Sequence, residues 1–281
     1  NIDTLVLMSK AIRQYISSTY TARQLSQEEE SQIKAQEIHE IENSDSEISN
    51  KVITLLKNND DILPIKGNSR ILVTGPNANN MRTLNGAWTY SWQGDLTDDF
   101  AGEYNTIYEA VRNTYGSNNV RYVPGVSYRQ GGSYYDMDEI NIQKAVQEAR
   151  RSDYIVLCLG ENTYTEKPGD LNDLNIHKLQ SKLAVELSKT GKPIILILNL
   201  GRPRLISDIE PLMSAVVNVY LPGNFGADAL ADILSGKVNP SGKLPYTYPA
   251  YPNSLLPYYY NCLLYTSDAA DEGLGVDLGG R

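Results

Sequence analysis

Cysteine and histidine are both scarce in this chain, with two of each among 281 residues. Cys158 and Cys262 cannot build a disulfide framework, and with only His39 and His177 beside them neither a Cys/His zinc site nor a histidine-rich metal centre is available. No apolar run approaches the ~20 residues a membrane-spanning helix needs. A basic excess is missing as well: 25 Lys and Arg stand against 34 Asp and Glu, a net charge of -9, and the basic residues are scattered. Neither a membrane nor a nucleic acid is therefore an expected partner. Phe and Trp occur only twice each, whereas there are 20 Tyr, a ring that suits amphipathic, sugar-contacting surfaces. With 41% hydrophobic and 21% charged residues the chain can bury one sizeable core. It opens on Asn1, with neither an initiator Met nor a signal peptide, and so reads as a piece of a longer protein.

The first fifty residues are polar and weakly amphipathic. Leu5, Met8, Ile12 and Tyr15 fall at helical spacing, and Ser26 with Glu29 forms a capping box before Ile33, Ile38 and Ile41. A second box, Ser44 with Glu47, predicts a helix that aligns Ile48, Val52 and Leu55 and ends at Lys57-Asn58-Asn59-Asp60-Asp61. Residues 1–65 thus read as a helical linker. From Ser69 onward strands alternate with helices. The strands are Ile71–Thr74, Val120–Val123, Tyr154–Leu159, Ile194–Leu198 and Ala215–Tyr220, and the helices cover 106–115, a stretch capped by Asp138, the turn face of Leu179, Leu183 and Leu187, and 228–234. Five strands interleaved with helices predict an α/β fold over 66–260, a mostly parallel sheet sandwiched between helices.

The apolar run Tyr154–Leu159 is short and rich in strand formers, as a strand buried on both faces would be. It delivers the chain into Gly160-Glu161-Asn162-Thr163-Tyr164-Thr165-Glu166-Lys167-Pro168-Gly169-Asp170. A loop leaving the carboxyl end of a parallel strand is where open α/β sheets bind ligands. It carries two carboxylates, Glu161 and Glu166, and a Glu whose pKa is raised by partial burial or by a second carboxylate suits general acid work near neutral pH. His177 reads as a surface or capping residue, Arg202 in Gly201-Arg202-Pro203 as a bridge between loops, and Asn239-Pro240-Ser241-Gly242 as a turn without a catalytic partner.

Several stretches, in order, resemble glycoside hydrolase family 3. They are Lys51 to Asn58 with Ile62-Leu63-Pro64-Ile65, then Gly86-Ala87-Trp88-Thr89-Tyr90-Ser91-Trp92-Gln93-Gly94, then the Gly160 to Asp170 loop. Leu200-Gly201-Arg202-Pro203, Leu221-Pro222-Gly223 and Asn239 to Pro245 follow. The resemblance implies the acid/base-bearing sandwich of a retaining, exo-acting β-glycosidase that hydrolyses β-glucosides or β-glucan oligosaccharides. Its partner would be a (β/α)8-type barrel in cis, which supplies an Asp nucleophile and most contacts to the first sugar. Matched residue by residue, Glu166 is implied as the catalytic acid/base and Trp92 as the residue stacking on the leaving-group sugar. Glu161 is the lesser candidate, contacting substrate or holding the loop, and Trp88 is expected as buried support for the substrate site. Two-carboxylate chemistry needs no cofactor and no metal.

The sequence departs from the family pattern at both ends. No repeated strand-helix pattern precedes Lys51, so neither the barrel nor its nucleophile is expected here, and the fragment is expected to be inactive alone. Residues 261–281 carry no strand pattern and resemble translated adapter read-through, so they read as a non-native tail. Relatives that degrade polysaccharides are often secreted or periplasmic. β-Xylosidase or another exo-glycosidase specificity is the nearest alternative, and a non-catalytic carbohydrate-binding module is the alternative of a different class. The N-acetylglucosaminidase branch, whose acid/base comes from its barrel, fits poorly with Glu166 in its motif.

Overall fold

The computed structural model describes residues 49–252 together with Glu47. The helical patterns read at Leu5–Tyr15 and Ser26–Ile41 and the tail at 261–281 lie outside the described residues. Eight strands are present among the described residues: β1 (Thr54–Asn58), β2 (Ile71–Thr74), β3 (Val120–Val123), β4 (Val126–Tyr128), β5 (Met137–Glu139), β6 (Tyr154–Gly160), β7 (Ile194–Asn199) and β8 (Ala215–Asn218). Six of them form one sheet in the order β1-β8-β7-β6-β2-β3, parallel except for β1, while β4 and β5 make a separate antiparallel hairpin. The expected α/β architecture is therefore present, with all five expected strands in its parallel part.

Helices cover both faces of the sheet, and period-two alternation within the strands assigns each side chain to a face. Val73, Val156, Cys158, Ile195, Ile197 and Val217 form one core with Ile107, Ala110 and Val111 of α3 (Ile107–Tyr115) and Leu230 and Leu234 of α6 (Gly226–Ser235). Leu72, Ile155, Leu157, Leu159, Leu196 and Leu198 form the other with Ile142, Ala145 and Ala149 of α4 (Ile142–Arg151) and Leu183 and Leu187 of α5 (Lys178–Ser188). Each fully buried Leu or Ile is worth about 1.5–3 kcal/mol. Two short helices, α1 (Met81–Asn85) and α2 (Thr97–Phe100), flank the tryptophan-bearing loop.

Two local patterns gave way to tertiary contacts. The helix expected to reach Leu55 stops at Val52, and Thr54–Asn58 is instead β1, paired antiparallel with β8 through a bulge between Leu55 and Lys57. The sheet thus begins inside the stretch read as linker. Edge pairing satisfies a whole row of β8 backbone groups, which outweighs a weak local preference for helix. Asp138 does not cap α4. It lies in β5 and pairs with Arg129 of the hairpin at 2.7 Å, while Asn141 takes the cap by accepting from the Lys144 N–H at 2.9 Å.

The starts of β2 and β6 are tied by one carboxylate. Asp153 accepts from the Arg70 backbone N–H at 2.9 Å and from its guanidinium at 3.1 and 2.7 Å, and these bonds lower its pKa from 3.8 to about 2. The unfolded chain takes up this proton first as the pH falls. The contribution of the tie to stability is therefore complete above about pH 4 and is lost progressively towards pH 2. Asp153→Asn is expected to lower stability above about pH 4, where the tie is intact, and to flatten the acid limb, so that variant and wild type converge towards pH 2. Chemical denaturation between pH 2 and 7 measures this, and an unchanged acid limb would rule the tie out.

Candidate functional site

The order of the parallel strands fixes where loops converge. From β2 the chain moves outward to β3 and then returns to the other side of β2 as β6, so the topology reverses between β2 and β6. Loops leaving the carboxyl ends of these two strands diverge and leave a crevice. Gly75-Pro76-Asn77 leaves β2 and the Glu161 to Asp170 loop leaves β6.

A buried polar ladder floors this crevice. Asn77 donates to the side-chain oxygen of Asn199 at 2.9 Å and to the Glu161 carbonyl at 3.3 Å, and it accepts from the Tyr128 hydroxyl at 2.8 Å. Asn199 in turn donates to the Tyr220 carbonyl at 2.6 Å, and Gln180 both accepts from and donates to the Gly160 backbone at 2.8 and 2.7 Å. Fully paired networks of this kind are rigid, because any broken member leaves a polar atom stranded in low dielectric.

Glu161, the first loop acid, is 8% exposed and is held from every side. Arg202 donates to it from Nε at 3.2 and 3.3 Å and from Nη2 at 3.1 Å, Arg204 from Nη1 at 2.6 Å, and the Tyr164 hydroxyl at 3.0 Å. The carboxylate has no lone pair left for a ligand in this arrangement. Burial and the neighbouring Glu161 charge hold the Tyr164 phenol well above its ordinary pKa, so it donates throughout the physiological range.

Glu166 is different. It is exposed, and its backbone sits at φ 55°, a region that costs a non-glycine residue about 1–3 kcal/mol. Its carbonyl accepts from the Gly169 N–H at 2.8 Å, across the short turn Lys167–Gly169. Its carboxylate oxygen Oε1 accepts from the Trp92 indole N–H at 3.4 Å. The tryptophan loop is fastened to the acid loop next to this contact: the Gln93 side chain accepts from the Thr165 N–H at 3.2 Å and donates to the Thr165 carbonyl at 3.4 Å, and Arg82 donates to the Thr163 hydroxyl. Two segments some seventy positions apart in sequence thus form one unit.

Trp92 is 48% exposed, and Trp88, expected as buried support, is 69% exposed. The reason lies in the backbone. Trp88 and Tyr90 stand at φ 58° and 62° in a tight turn closed by the Trp88 N–H on the Trp92 carbonyl at 3.1 Å, which turns the rings outward. Tyr90 stacks on Phe100 with ring centroids 5.6 Å apart, and its hydroxyl accepts from Asn224 at 2.8 Å. His177 fills its expected capping role: Nδ1 accepts from the Leu179 N–H at 3.2 Å, and burial together with the Lys178 and Arg204 charges keeps the imidazole pKa low and the ring neutral. It lines a cleft of about 330 Å³ on the Arg204 side of Glu161, where neither Glu166 nor Trp92 takes part.

The structure brings Glu166 and Trp92 together, sets Trp88 on the same loop, and uses Glu161 as an internal anchor. Arg202 was legible as a bridge between loops. Arg204, Gln93 and Tyr164 carried no signal of their partners, because each acts across segments distant in sequence.

Comparison with known proteins is consistent with this organisation. Residues 53–278 match the model of the glycosyl hydrolase family 3 C-terminal domain. The chain is 38% identical over 215 residues to a lysosomal β-glucosidase of Dictyostelium discoideum, covering 74% of this chain and 26% of that protein. It is 29% identical over 206 residues to a β-xylosidase of Formosa agariphila, covering 72% and 27%. Among solved structures, a β-glucosidase of Erythrobacter marinus superposes with a TM-score of 0.62 at 28% identity, covering 76% of this chain and 31% of that one. The chain spans about a quarter of the length of the curated relatives it matches. With the family model matched across most of the chain, the strands in order and the two loops joined at the reversal point, the chain belongs to glycoside hydrolase family 3, of which it carries the C-terminal α/β domain.

Proposed function

We propose that this domain supplies the acid/base of a retaining, exo-acting β-glucosidase. Glu166 protonates the leaving glycosidic oxygen and then activates the water that hydrolyses the glycosyl-enzyme intermediate. The nucleophile is an Asp of a barrel domain joined in cis, reached through the stretch upstream of the sheet, and this domain is inactive without it. Retention requires the two carboxyl groups about 5–5.5 Å apart. The observation that carries the proposal is the Trp92 to Glu166 contact at 3.4 Å on an exposed, positive-φ loop residue. A solvated loop acid has no reason to be held in a strained backbone and touched by an indole. An acid that must face a substrate arriving from outside the domain does. Trp92 offers the leaving-group sugar a flat apolar face that tolerates different hydroxyl patterns. Trp88 stands on the same loop with its indole turned outward and extends that aromatic surface, while Glu161, saturated by two arginines, holds the loop rather than the substrate.

A β-xylosidase is the second reading, favoured by the Formosa agariphila relative, because the residues that choose the first sugar would lie in the barrel. The test is hydrolysis of aryl β-glucoside and aryl β-xyloside by the full-length protein, with the released anomer followed by proton NMR. The β-anomer should appear first, with the glucoside preferred. Initial release of the α-anomer would sink the retaining mechanism. Binding of oligosaccharide without any hydrolysis would identify a non-catalytic module.

A further inference from the structure

The loop that carries Glu166 is gripped from one point. Arg202 uses its guanidinium as a three-way fork: Nε and Nη2 grip the Glu161 carboxylate at the loop's first residue, Nη1 donates to the Gly169 carbonyl near its last at 2.7 Å, and Nη2 also donates to the Tyr134 hydroxyl at 3.1 Å. Its plane lies over the Tyr164 ring, 4.0 Å from guanidinium carbon to centroid. Tyr164 bonds Glu161 and packs against Gly169, where an added Cβ would come within 2.3 Å of the ring. Gly169 then donates to the Glu166 carbonyl at 2.8 Å. Two hydrogen bonds therefore connect Arg202 to the Glu166 backbone, and the loop cannot widen without breaking one end of the fork.

We infer that Arg202 is a positioning residue which, through Glu161 at one end of the loop and Gly169 at the other, sets where the Glu166 carboxyl stands relative to the leaving oxygen. The inference rests on the acid/base reading of Glu166. Nothing about Arg202 itself touches the reacting atoms. Its grip is planar and bidentate, so lysine, a point donor on a flexible stem, cannot reproduce it. A displacement of the order of 1 Å in a positioned group costs about 10²-fold in rate.

A positioning role is separated from a merely structural one by leaving-group dependence. In the full-length protein, Arg202→Ala and Arg202→Lys should lower kcat on phenyl β-glucoside, whose leaving oxygen needs a proton, by about 10–100-fold. KM should change little. The glycosylation rate on 2,4-dinitrophenyl β-glucoside, whose leaving group needs none, should fall by less than about 3-fold, and added guanidinium should restore part of the phenyl glucoside activity of Arg202→Ala. The lysine variant keeps the charge and serves if the alanine variant does not fold. Glu166→Ala is the reference. If it shows the split between the two substrates and the Arg202 variants lose both activities equally, or neither, the positioning role is overturned and the acid/base reading stands. If Glu166→Ala shows no split, the acid/base reading fails and the inference falls with it.

Discussion

Glu166→Ala in the full-length protein should reduce turnover of natural β-glucosides by about 10²–10⁴-fold, the usual worth of a positioned general acid. The loss will depend on the substrate. A glucosyl leaving group must be protonated as its bond breaks, so the first step suffers directly. An activated aryl leaving group departs unaided, and the second step becomes limiting because no base activates water. Azide needs no base. It should attack the accumulated intermediate and raise turnover of the aryl substrate, yielding a β-glucosyl azide whose configuration reports retention. Trp92 donates to the Glu166 carboxylate but does not bury it, so removing the side chain leaves an open surface and no collapsed core. Thermal unfolding of the variant should therefore stay close to wild type. Full activity of Glu166→Ala on natural and aryl glucosides alike would reduce Glu166 to an ordinary loop acid.

A large loss of stability is expected at Gly75→Ala. Gly75 ends β2 at φ 103°, where any side chain is strained by about 1–3 kcal/mol. A Cβ there would lie 2.1 Å from the Cys158 carbonyl oxygen and 2.9 Å from its carbon. Cys158 belongs to β6, fixed between β2 and β7, so the obstacle is backbone in the centre of the sheet and cannot swing aside. Overpacking of that kind adds about 1–3 kcal/mol, for a total of about 2–6 kcal/mol. For a domain of this size each kcal/mol lowers Tm by about 2–4 °C, so a drop of roughly 10 °C is expected. Gly67→Ala is the control, since an added Cβ there meets nothing within 4 Å. Parallel urea unfolding of both variants decides the matter. Equal midpoints would show that β2 and β6 can separate at the reversal point, contrary to the packing described here.

The two predictions concern the same crevice from opposite sides. Gly75 allows the β2 and β6 ends to approach, Asn77 follows it and bonds the Glu161 carbonyl, and Glu161 anchors the loop from which Glu166 projects. Stability beneath the site and strain within it are thus built from neighbouring residues. The positive φ of Glu166 is held by the Gln93–Thr165 pair on one side and the Arg202–Gly169 bond on the other.

How much of this was readable from residues alone varies with the range of the interaction. The parallel strands could be placed because they are short runs of strand formers between turn residues, continuously apolar in β6 and interrupted only by Arg121 in β3, and the structure adds a Thr106–Glu109 capping box at the start of the expected helix α3. Those signals are local. β1 was misread because Ser44 and Glu47 suggest a longer helix, while the choice of strand depends on β8, more than 150 positions away. Asp138 has the residue type of a cap, and only the hairpin partner Arg129 explains why Asn141 does that work. Trp88 was expected inside by the general habit of large rings, and the strained turn sets it outside.

By itself the amino-acid sequence determined the alternation of strand and helix, the two-faced burial of β6, the position of the acid-bearing loop at a strand's carboxyl end, and the family to which the motifs point. These follow from periodicity, capping and turn chemistry, which act over a few residues. Which acid is buried and which is presented was decided only by the tertiary structure. Glu161 and Glu166 have the same side chain, five positions apart in one loop, and no local rule separates them. Arg202 and Arg204 arrive from the loop after β7 and enclose the first, whereas Trp92 arrives from the loop before α2 and leaves the second open. A carboxylate takes its character from the charges and water around it, and those come from distant segments that only the folded chain brings together.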